Sequence, residues 1–467
     1  MVRPALGPSR RTDLASWSQH SLVPGVLMGL CVRIYGLVAL ALCGWSLVAH
    51  AIPAVPTNDN EAEASKYERY SASYRLNPDG TYTEQYEWAL RVLTEQGVAT
   101  ANSTSISYTE RLHEVEILEA YTLKPDGRRI DASPEHDQRQ ASSGRAEVDQ
   151  TCADRKSKTV VFREVGVGDL LVFSYQRSHK EALFPGQFSL ALPFSRTELY
   201  DDVRIRLSAP ESMPLRVFSR GVGGGEIERA QGRRQWEWTF RNAKRADPAE
   251  SGVSWVDGGP VILVSTFVDY QALGAAYELR ARPKAVVTQR VRALASELTR
   301  DAHTPRAQIE AFYDWVSKNI RFAGSCAGSV VPNDVDRILT SKMGDCKDHA
   351  VLMQALMDAQ DIPSTSALVR IDRASVLPEL AVAAAFNHVM NYVPSLDLFV
   401  DATAGNIPFG ALPRSDSNKL AVLTGAPYGI RRTPSIDDRT HWARVETKPQ
   451  VHTGSSPAGK PRLEPGG

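Results

Sequence analysis

The sequence has 467 residues, which is long enough for two or three domains of ordinary size. Lysine plus arginine and aspartate plus glutamate each number 54, so the formal net charge is zero. This balance excludes the basic surface that is typical of nucleic-acid-binding proteins. A hydrophobic content of 42% fits a globular protein with buried cores.

Residues 1–51 are interpreted as an export signal. Arg33 supplies the positive region, residues 34–48 the apolar region, and Ala49-His50-Ala51 a cleavage site of small residues. Met28 would be a more usual start for such a signal. The alternative is an uncleaved anchor helix, because apolar residues also run from 21 to 32. Under both interpretations we expect the folded part to lie outside the cytoplasm.

The cysteine count fits such a compartment. Cys31 and Cys43 would leave with the signal, so that Cys152, Cys326 and Cys346 remain. An odd number of cysteines in an oxidising compartment indicates one free reactive thiol and permits one disulfide. Cys152 with Cys326 is a permitted pair.

Residues 52–64 are polar and are predicted to form a linker, and residues 65–260 a β domain. Short runs rich in Val, Ile, Tyr, Phe and Thr are separated by turn sequences such as Asn77-Pro78-Asp79-Gly80. The predicted strands cover residues 81–93, 105–121, 170–175, 203–207 and 236–240. This pattern is typical of a mostly antiparallel β sandwich.

Helical periodicity begins after Pro283. One helix carries apolar residues from 287 to 298, a second starts at Thr304-Pro305, and Asn333 is expected to cap a third. Strands are predicted at 365–371, 387–393 and 398–401. Helices followed by a sheet indicate an α+β core. The periodicity is lost after about residue 424, and residues 431–467 are predicted to be disordered.

A cysteine stands at the predicted start of a fourth helix. Asp345 is a good N-cap for this helix, Gly344 allows a sharp turn, and Asp348 completes a weak capping box. Cys346 would therefore lie in the first turn, where backbone N–H groups and the helix dipole favour a thiolate. Because Asp345 and Asp348 oppose that charge, a cationic partner is required.

Candidate partners follow Cys346 in chain order. His388 lies in Phe386-Asn387-His388-Val389, and Asp401 lies in Val400-Asp401-Ala402-Thr403. Both segments are predicted strands, so a helix carrying the thiol could face a sheet carrying a base and the group that orients it. Nucleophile, base and orienting group are the components of acyl transfer.

These three blocks resemble the transglutaminase-like core, a branch of the papain-like cysteine fold. The resemblance runs from about residue 282 to 413, within a core domain placed at 282–424, and the blocks stand in the family's order. The segment Phe184-Pro185-Gly186-Gln187-Phe188 and the Pro-Asp-Gly turns resemble the domain of unknown function that often precedes such cores in exported bacterial proteins. The expected fold class is thus α+β, with an antiparallel β sandwich followed by a papain-like core.

The resemblance implies a catalytic triad of Cys346, His388 and Asp401. Cys346 would attack a peptide or protein amide, and an amine or water would resolve the thioester by transamidation or hydrolysis. The Cys346 N–H is one expected oxyanion donor, and the loop 322–329 would supply the second. The alternative is a non-catalytic envelope module that binds a protein or glycan in the same cleft.

No cofactor, metal or nucleic acid is expected, and the oligomeric state is left open. A zinc site made of Cys326, His349 and His388 is a lesser alternative, since no fourth ligand is evident. The expected location is the periplasm or the exterior, or the periplasmic side of a membrane if the signal stays as an anchor. The expected partner is a peptide or protein substrate, with association to the envelope possible.

Overall fold

The structure is a computed structural model. It describes residues 63–133, 136–139, 155–246, 254–323, 330–374, 376–436, 443–446 and 462–465. The predicted export signal, Cys152 and Cys326 lie outside the described residues, so the disulfide stays a prediction.

The N-terminal domain is built on one large sheet. Its eight strands follow the order β12-β13-β10-β1-β2-β8-β4-β5, and two three-stranded sheets, β11-β14-β9 and β3-β7-β6, accompany it. The elements are β1 Ser65–Leu76, β2 Tyr82–Val92, α1 Glu95–Ala101, β3 Ser103–Thr109, β4 His113–Leu123, β5 Arg129–Asp131, β6 His136–Arg139, β7 Arg155–Val161, β8 Leu170–His179, β9 Ser189–Pro193, β10 Tyr200–Pro210, β11 Arg216–Arg220, β12 Gly223–Ala230, β13 Arg233–Asn242 and β14 Val261–Ser265.

The large sheet buries one face. Along β1, Tyr70, Ala72 and Tyr74 are buried while the side chains between them face outward, as the two-residue period of a strand requires. Residues of both small sheets belong to the same hydrophobic cluster as this face. The expected alternation is therefore present. One neighbouring pair, β1 with β10, is parallel, an exception to the otherwise antiparallel pairing of the large sheet.

Two boundaries of the β domain differ from the sequence prediction. The run predicted as one strand at 105–121 is two strands, β3 and β4, which belong to different sheets. The domain also continues past residue 260, because β14 lies between β9 and β11. All five residues of β14 are buried, so the strand lacks the alternation that marks a half-buried strand.

The second domain combines helices with a five-stranded sheet of order β19-β18-β17-β20-β21. Its elements are α2 Tyr270–Ala281, α3 Gln289–Leu298, α4 Pro305–Asn319, β15 Arg321–Phe322, α5 Val335–Ser341, β16 Met343–Gly344, α6 Cys346–Asp358, β17 Thr365–Val369, β18 His388–Val393, β19 Leu398–Val400, β20 Leu420–Leu423 and β21 Gly429–Arg432. The α+β class predicted from the sequence is confirmed. Helix α6 packs on α4 and on strand β18, which lies next to the central strand β17.

Two details of the helices differ from prediction. Helix α2 was not predicted, because apolar residues outside its buried face, such as the exposed Leu279, obscure the helical stripe. It packs against β20, where Gly274 lies so close to the Leu423 carbonyl that a side chain would be crowded. The N-cap of α5 is Asp334 rather than Asn333, and Asn333 instead binds Asp348.

The predicted disorder of residues 431–467 is wrong for the described part of that segment. Residues 429–432 form β21, and Thr433 is buried. Two further strands, β22 Ala443–Glu446 and β23 Arg462–Pro465, pair with each other. High Pro, Gly and Arg content does not prevent pairing when a neighbouring strand edge offers hydrogen bonds.

The two domains share a hydrophobic core. Phe184, Val261 and Phe267 from the first domain belong to one cluster with Cys346 and Phe386 from the second. The segment around Phe184, noted in the sequence for its aromatic residues, is thus part of the interface. Among the residues described, no helix has both the length and the apolar composition that crossing a membrane requires.

Candidate active site

The first turn of α6 places the cysteine. Asp345 is the N-cap and accepts hydrogen bonds from the N–H groups of Lys347 and Asp348. Asp348 in turn accepts from the Asp345 N–H at 3.2 Å, which completes the capping box. Cys346 is therefore the first helical residue, as predicted, and its side chain is 3% exposed.

Gly344 is required by a close approach. A Cβ at this position would lie 2.6 Å from the Cβ of Asp348, a separation that real side chains do not adopt. From the sequence, Gly344 was expected to allow a sharp turn. The structure shows a different reason for this glycine: the Asp348 side chain needs the room to reach back to the N-cap.

The two carboxylates beside the thiol are compensated locally. The Lys347 ammonium is buried and forms an ion pair with Asp345. Burial alone would lower the pKa of Lys347, but the charges of Asp345, Asp348 and Cys346 raise it. Asp348 accepts two hydrogen bonds from Asn333, at 2.7 and 2.9 Å. A cationic partner was expected from the sequence, but Lys347, whose side chain folds back toward the N-cap, was not identified as one.

The structure brings Cys346, His388 and Asp401 together. His388 opens β18, and its Nε2 lies 3.0 Å from Oδ2 of Asp401, which follows the end of β19. The side chain of His388 also hydrogen-bonds to that of Cys346. Because Nε2 faces Asp401, Nδ1 is the ring nitrogen left for the thiol. All three side chains are buried.

The charges at this site are strongly coupled. Burial alone would lower the pKa of His388, but the Asp401 charge and hydrogen bond, followed by the contact with Cys346, raise this pKa well above its usual value. For Asp401 the directions are reversed. Burial alone would raise its pKa, but the charge and hydrogen bond of His388 and further hydrogen bonds hold this pKa below its usual value. Thr403 contributes through its N–H and hydroxyl, which donate to Oδ1 at 3.0 and 2.7 Å. The arrangement favours an imidazolium held by a carboxylate.

A second carboxylate, Asp416, reaches the same histidine. Its Oδ2 lies 4.0 Å from Nε2 of His388, and its side chain is 1% exposed. Burial and then the charge of Asp401 raise the pKa of Asp416 to about 7. Asp416 was not predicted, because the short 3-10 turn Arg414–Asp416 carries no local signal of a functional residue.

The zinc alternative finds little support in the described residues. Nδ1 of His349 faces the Asp345 carbonyl at 2.8 Å, and Nε2 faces the Ile320 carbonyl at 3.1 Å. Both ring nitrogens are thus occupied by the protein backbone, and Cys326 lies outside the described residues. Residues 324–329 of the loop expected to provide the second oxyanion donor also lie outside them, so that donor stays a prediction.

The β domain holds the segment that leads to His388. The Ser265 hydroxyl donates to the Ala381 carbonyl at 2.5 Å, and the Ala383 N–H donates to the Ser189 hydroxyl at 3.1 Å. Arg220 pairs with Glu379 at 3.1 Å. The N-terminal domain therefore positions the histidine strand. Asn387 pins the same strand end by accepting from the Ile371 N–H at 2.8 Å.

Comparison with protein families agrees with this arrangement. A model described as the transglutaminase-like superfamily matches residues 292–393, which include Cys346 and His388. A model of a domain of unknown function, DUF3857, matches residues 78–246 in the β domain. No curated protein matches the chain.

Among solved structures, a proposed protease from Parabacteroides distasonis matches with a TM-score of 0.69. It is 17% identical, and the match covers 84% of this chain and 78% of that one. The likeness shows that the two chains share the same two-domain fold. An M1 zinc metallopeptidase from Deinococcus radiodurans matches at a TM-score of 0.23 with 10% identity, over 43% of this chain and 42% of that chain, which is too distant to support any argument.

Proposed function

We propose that this protein, in which a transglutaminase-like core follows a DUF3857 domain, is a cysteine-dependent enzyme that acts on peptide or protein amides through a thioester. The observation that supports the proposal is the buried His388, hydrogen-bonded to Cys346 on one side and to Asp401 on the other. A nucleophile, a base and an orienting carboxylate in contact are the requirement for acyl transfer.

The residues assign the steps. The Cys346 thiolate attacks the amide carbonyl carbon, and the carbonyl oxygen becomes an oxyanion that the Cys346 N–H is placed to stabilise. When the C–N bond breaks, the His388 imidazolium gives its proton to the departing amine, and a thioester remains. His388, now neutral, accepts a proton from water or from a second amine as that nucleophile attacks the thioester. The thiolate and the imidazolium are then restored.

Asp401 acts throughout by holding the imidazole. Its Oδ2 fixes the orientation of the ring, and its charge stabilises the imidazolium that pairs with the thiolate. Thr403 restricts Asp401 in turn. The favoured reaction is transamidation or hydrolysis, according to whether an amine or water reaches the thioester.

We further propose that the mature protein works in the periplasm or outside the cell, on peptide or protein substrates of the envelope. This proposal rests on the signal interpretation of residues 1–51. The rival function is a binding module that uses the same cleft without turnover. The two functions differ in what they require of Cys346, since only the enzyme needs a reactive thiolate.

The test is the pH dependence of iodoacetamide labelling of the purified protein, with the labelled cysteine located by mass spectrometry. We expect selective labelling of Cys346 that is already fast at neutral pH, where an ordinary free thiol is mostly protonated. The fast labelling should be lost in His388→Ala and retained in His303→Ala, a matched control whose histidine is exposed. Incubation with a glutamine-containing peptide, with and without a primary amine, then separates transamidation from hydrolysis.

Slow labelling of Cys346 at neutral pH and no effect of His388→Ala would contradict the proposed enzyme activity. In that case Cys346→Ala should leave the capture of a partner unchanged, which is what the binding module predicts. Circular dichroism of each variant verifies that the fold is retained.

A further inference from the structure

Two carboxylates converge on one nitrogen of the catalytic histidine. Oδ2 of Asp401 lies 3.0 Å from Nε2 of His388, and Oδ2 of Asp416 lies 4.0 Å from it. One side-chain nitrogen or oxygen atom from each of these three residues lies within 4.8 Å of the corresponding atoms of the other two. All three side chains are buried. One imidazolium can compensate only one of the two carboxylates.

The hydrogen bonds show which carboxylate is compensated. Asp401 receives donors from His388 at Oδ2 and from Thr403 at Oδ1. Asp416 receives the Ser415 hydroxyl at Oδ1, but its buried Oδ2 has no donor among the residues that the structure describes. A buried ionised oxygen without a donor is strongly disfavoured, whereas a protonated oxygen can itself donate.

We propose that Asp416 is a neutral carboxylic acid that donates its proton in a hydrogen bond to Asp401, and that it is a positioning residue for the His388 imidazolium. The inference rests on the proposed function, since it concerns the proton that His388 gives to the leaving amine. By sharing the charge of Asp401, Asp416 limits how strongly Asp401 holds that proton, and it keeps His388 acidic enough to release it.

The chemistry of the neighbouring groups agrees with this role. Two like charges that share a buried site do not both ionise, so one carboxyl retains its proton. Burial and then the charge of Asp401 raise the pKa of Asp416, so this carboxyl retains its proton at pH values where an ordinary aspartate has lost it.

Residues 433–436, which follow strand β21, hold Asp416 in place. The Thr433 hydroxyl donates to the Asp416 carbonyl, and the Asn418 N–H donates to the Pro434 carbonyl at 3.0 Å. The Ile436 N–H donates to the Ser417 hydroxyl at 2.8 Å. Thr433 is buried although it belongs to the segment predicted as disordered. The segment thus fixes the loop that aims Asp416 at His388.

The experiment compares labelling of Cys346 by iodoacetate with labelling by iodoacetamide across pH, in the presence of a chelator. The imidazolium attracts only the anionic reagent, so the ratio of the two rates falls as His388 loses its proton. The variants are Asp416→Asn, which keeps a donor toward Asp401, and Asp416→Ala, which removes it. Thermal unfolding monitors the fold of each variant.

For Asp416→Ala we expect the fall in the ratio to move to higher pH by about one unit, the scale of one lost hydrogen bond to a charged group. For Asp416→Asn we expect the fall at its position in the wild type, because the amide still donates a hydrogen bond to Asp401. If Asp416 is instead ionised, each variant removes a negative charge and the fall moves to lower pH. That opposite sign would overturn the proposal, and Asp416→Asn gives it even if Asp416→Ala does not fold.

The two proposals fail differently. If the proposed function is wrong, the wild-type protein itself shows no labelling that depends on His388. If only the role of Asp416 is wrong, the wild type shows that dependence, and Asp416→Asn moves the fall to lower pH. A profile that changes when the chelator is removed would show a cation bound by these residues and would likewise overturn the proton-sharing role.

Discussion

Two buried histidines lie beside carboxylates in this protein, and their environments have opposite effects. In the core, His388 pairs with Asp401, and the pKa of His388 is raised. In the β domain, His179 lies 3.7 Å from the fully buried Glu84, yet the pKa of His179 is lowered. A histidine and a carboxylate in a dry interior therefore do not by themselves make a catalytic pair.

The difference lies in the other neighbours. Glu84 also faces Arg177 at 3.3 Å, which compensates its charge, and the His179 ring stacks on Tyr82 at 3.8 Å between centroids. Burial then dominates and favours neutral His179. In the core, Cys346 adds negative charge on the second side of the His388 ring, which together with Asp401 overcomes the burial. The presence of a thiol is what distinguishes the candidate site.

The largest expected effect comes from converting the carboxylate beside each buried histidine, Asp401 or Glu84, to the corresponding amide. Asp401→Asn should lower the rate of thioester formation with an activated ester by about 10³–10⁴-fold, because an amide can hold the wrong tautomer of His388. Glu84→Gln should leave this rate within about twofold, because it does not touch the reacting groups. The rates are measured by the burst of alcohol released from the ester. Equal losses in the two variants would remove the distinction between the two clusters.

The next effect concerns stability at the nucleophile. Lys347→Met should lower the free energy of unfolding by about 3–5 kcal/mol, because Asp345 would remain buried without its counter-ion. Lys284→Met is the control: Lys284 pairs with the exposed Asp334 at 2.9 Å, and the loss should be under about 1 kcal/mol.

Urea unfolding at pH 7 measures both lysine variants. In the double variant Asp345→Asn/Lys347→Met we expect part of the stability to return, since Asn still caps the helix without a charge. No recovery would show that Lys347 acts through packing of its aliphatic stem rather than through its charge.

The smallest expected effect is on the pH dependence of the free energy of unfolding, to which the two histidines should contribute with opposite slopes. The raised pKa of His388 gives stability that is fully present below the unfolded value of about 6.5 and is lost as pH rises through the folded value. The lowered pKa of His179 gives stability that is present above about 6.5 and is lost as pH falls through the folded value. The difference in the free energy of unfolding between the wild type and His388→Gln should therefore shrink toward high pH. The corresponding difference for His179→Gln should shrink toward low pH.

These slopes come from unfolding curves collected between pH 5 and pH 9 in small steps. Slopes of the same sign for both histidine variants would mean that burial sets the charge of both rings. The candidate site would then have no electrostatic signature of its own.

Local sequence determined much of the candidate site. The capping box at Asp345 and Asp348 is a property of four consecutive residues, so the start of α6 at Cys346 was predictable. The segments carrying His388 and Asp401 were predictable as strands because short runs of β-branched and aromatic residues favour strands, although every residue of β18 is buried. The resemblance of these three blocks, in this order, to the transglutaminase-like core implied that they meet.

Only the tertiary structure decided the surroundings of that site. Asp416 reaches His388 because the chain folds the 414–436 region back onto the sheet, and the β domain holds the loop before His388 through Ser189 and Ser265. Helix α2 shows no clear stripe because exposed apolar residues such as Leu279 lie outside its buried face, and strand β14 shows no alternation because both of its faces are buried. Sequence patterns report the side on which a segment is buried. Which distant group covers it is decided by the packing of the whole chain, and that packing sets the charge of His388.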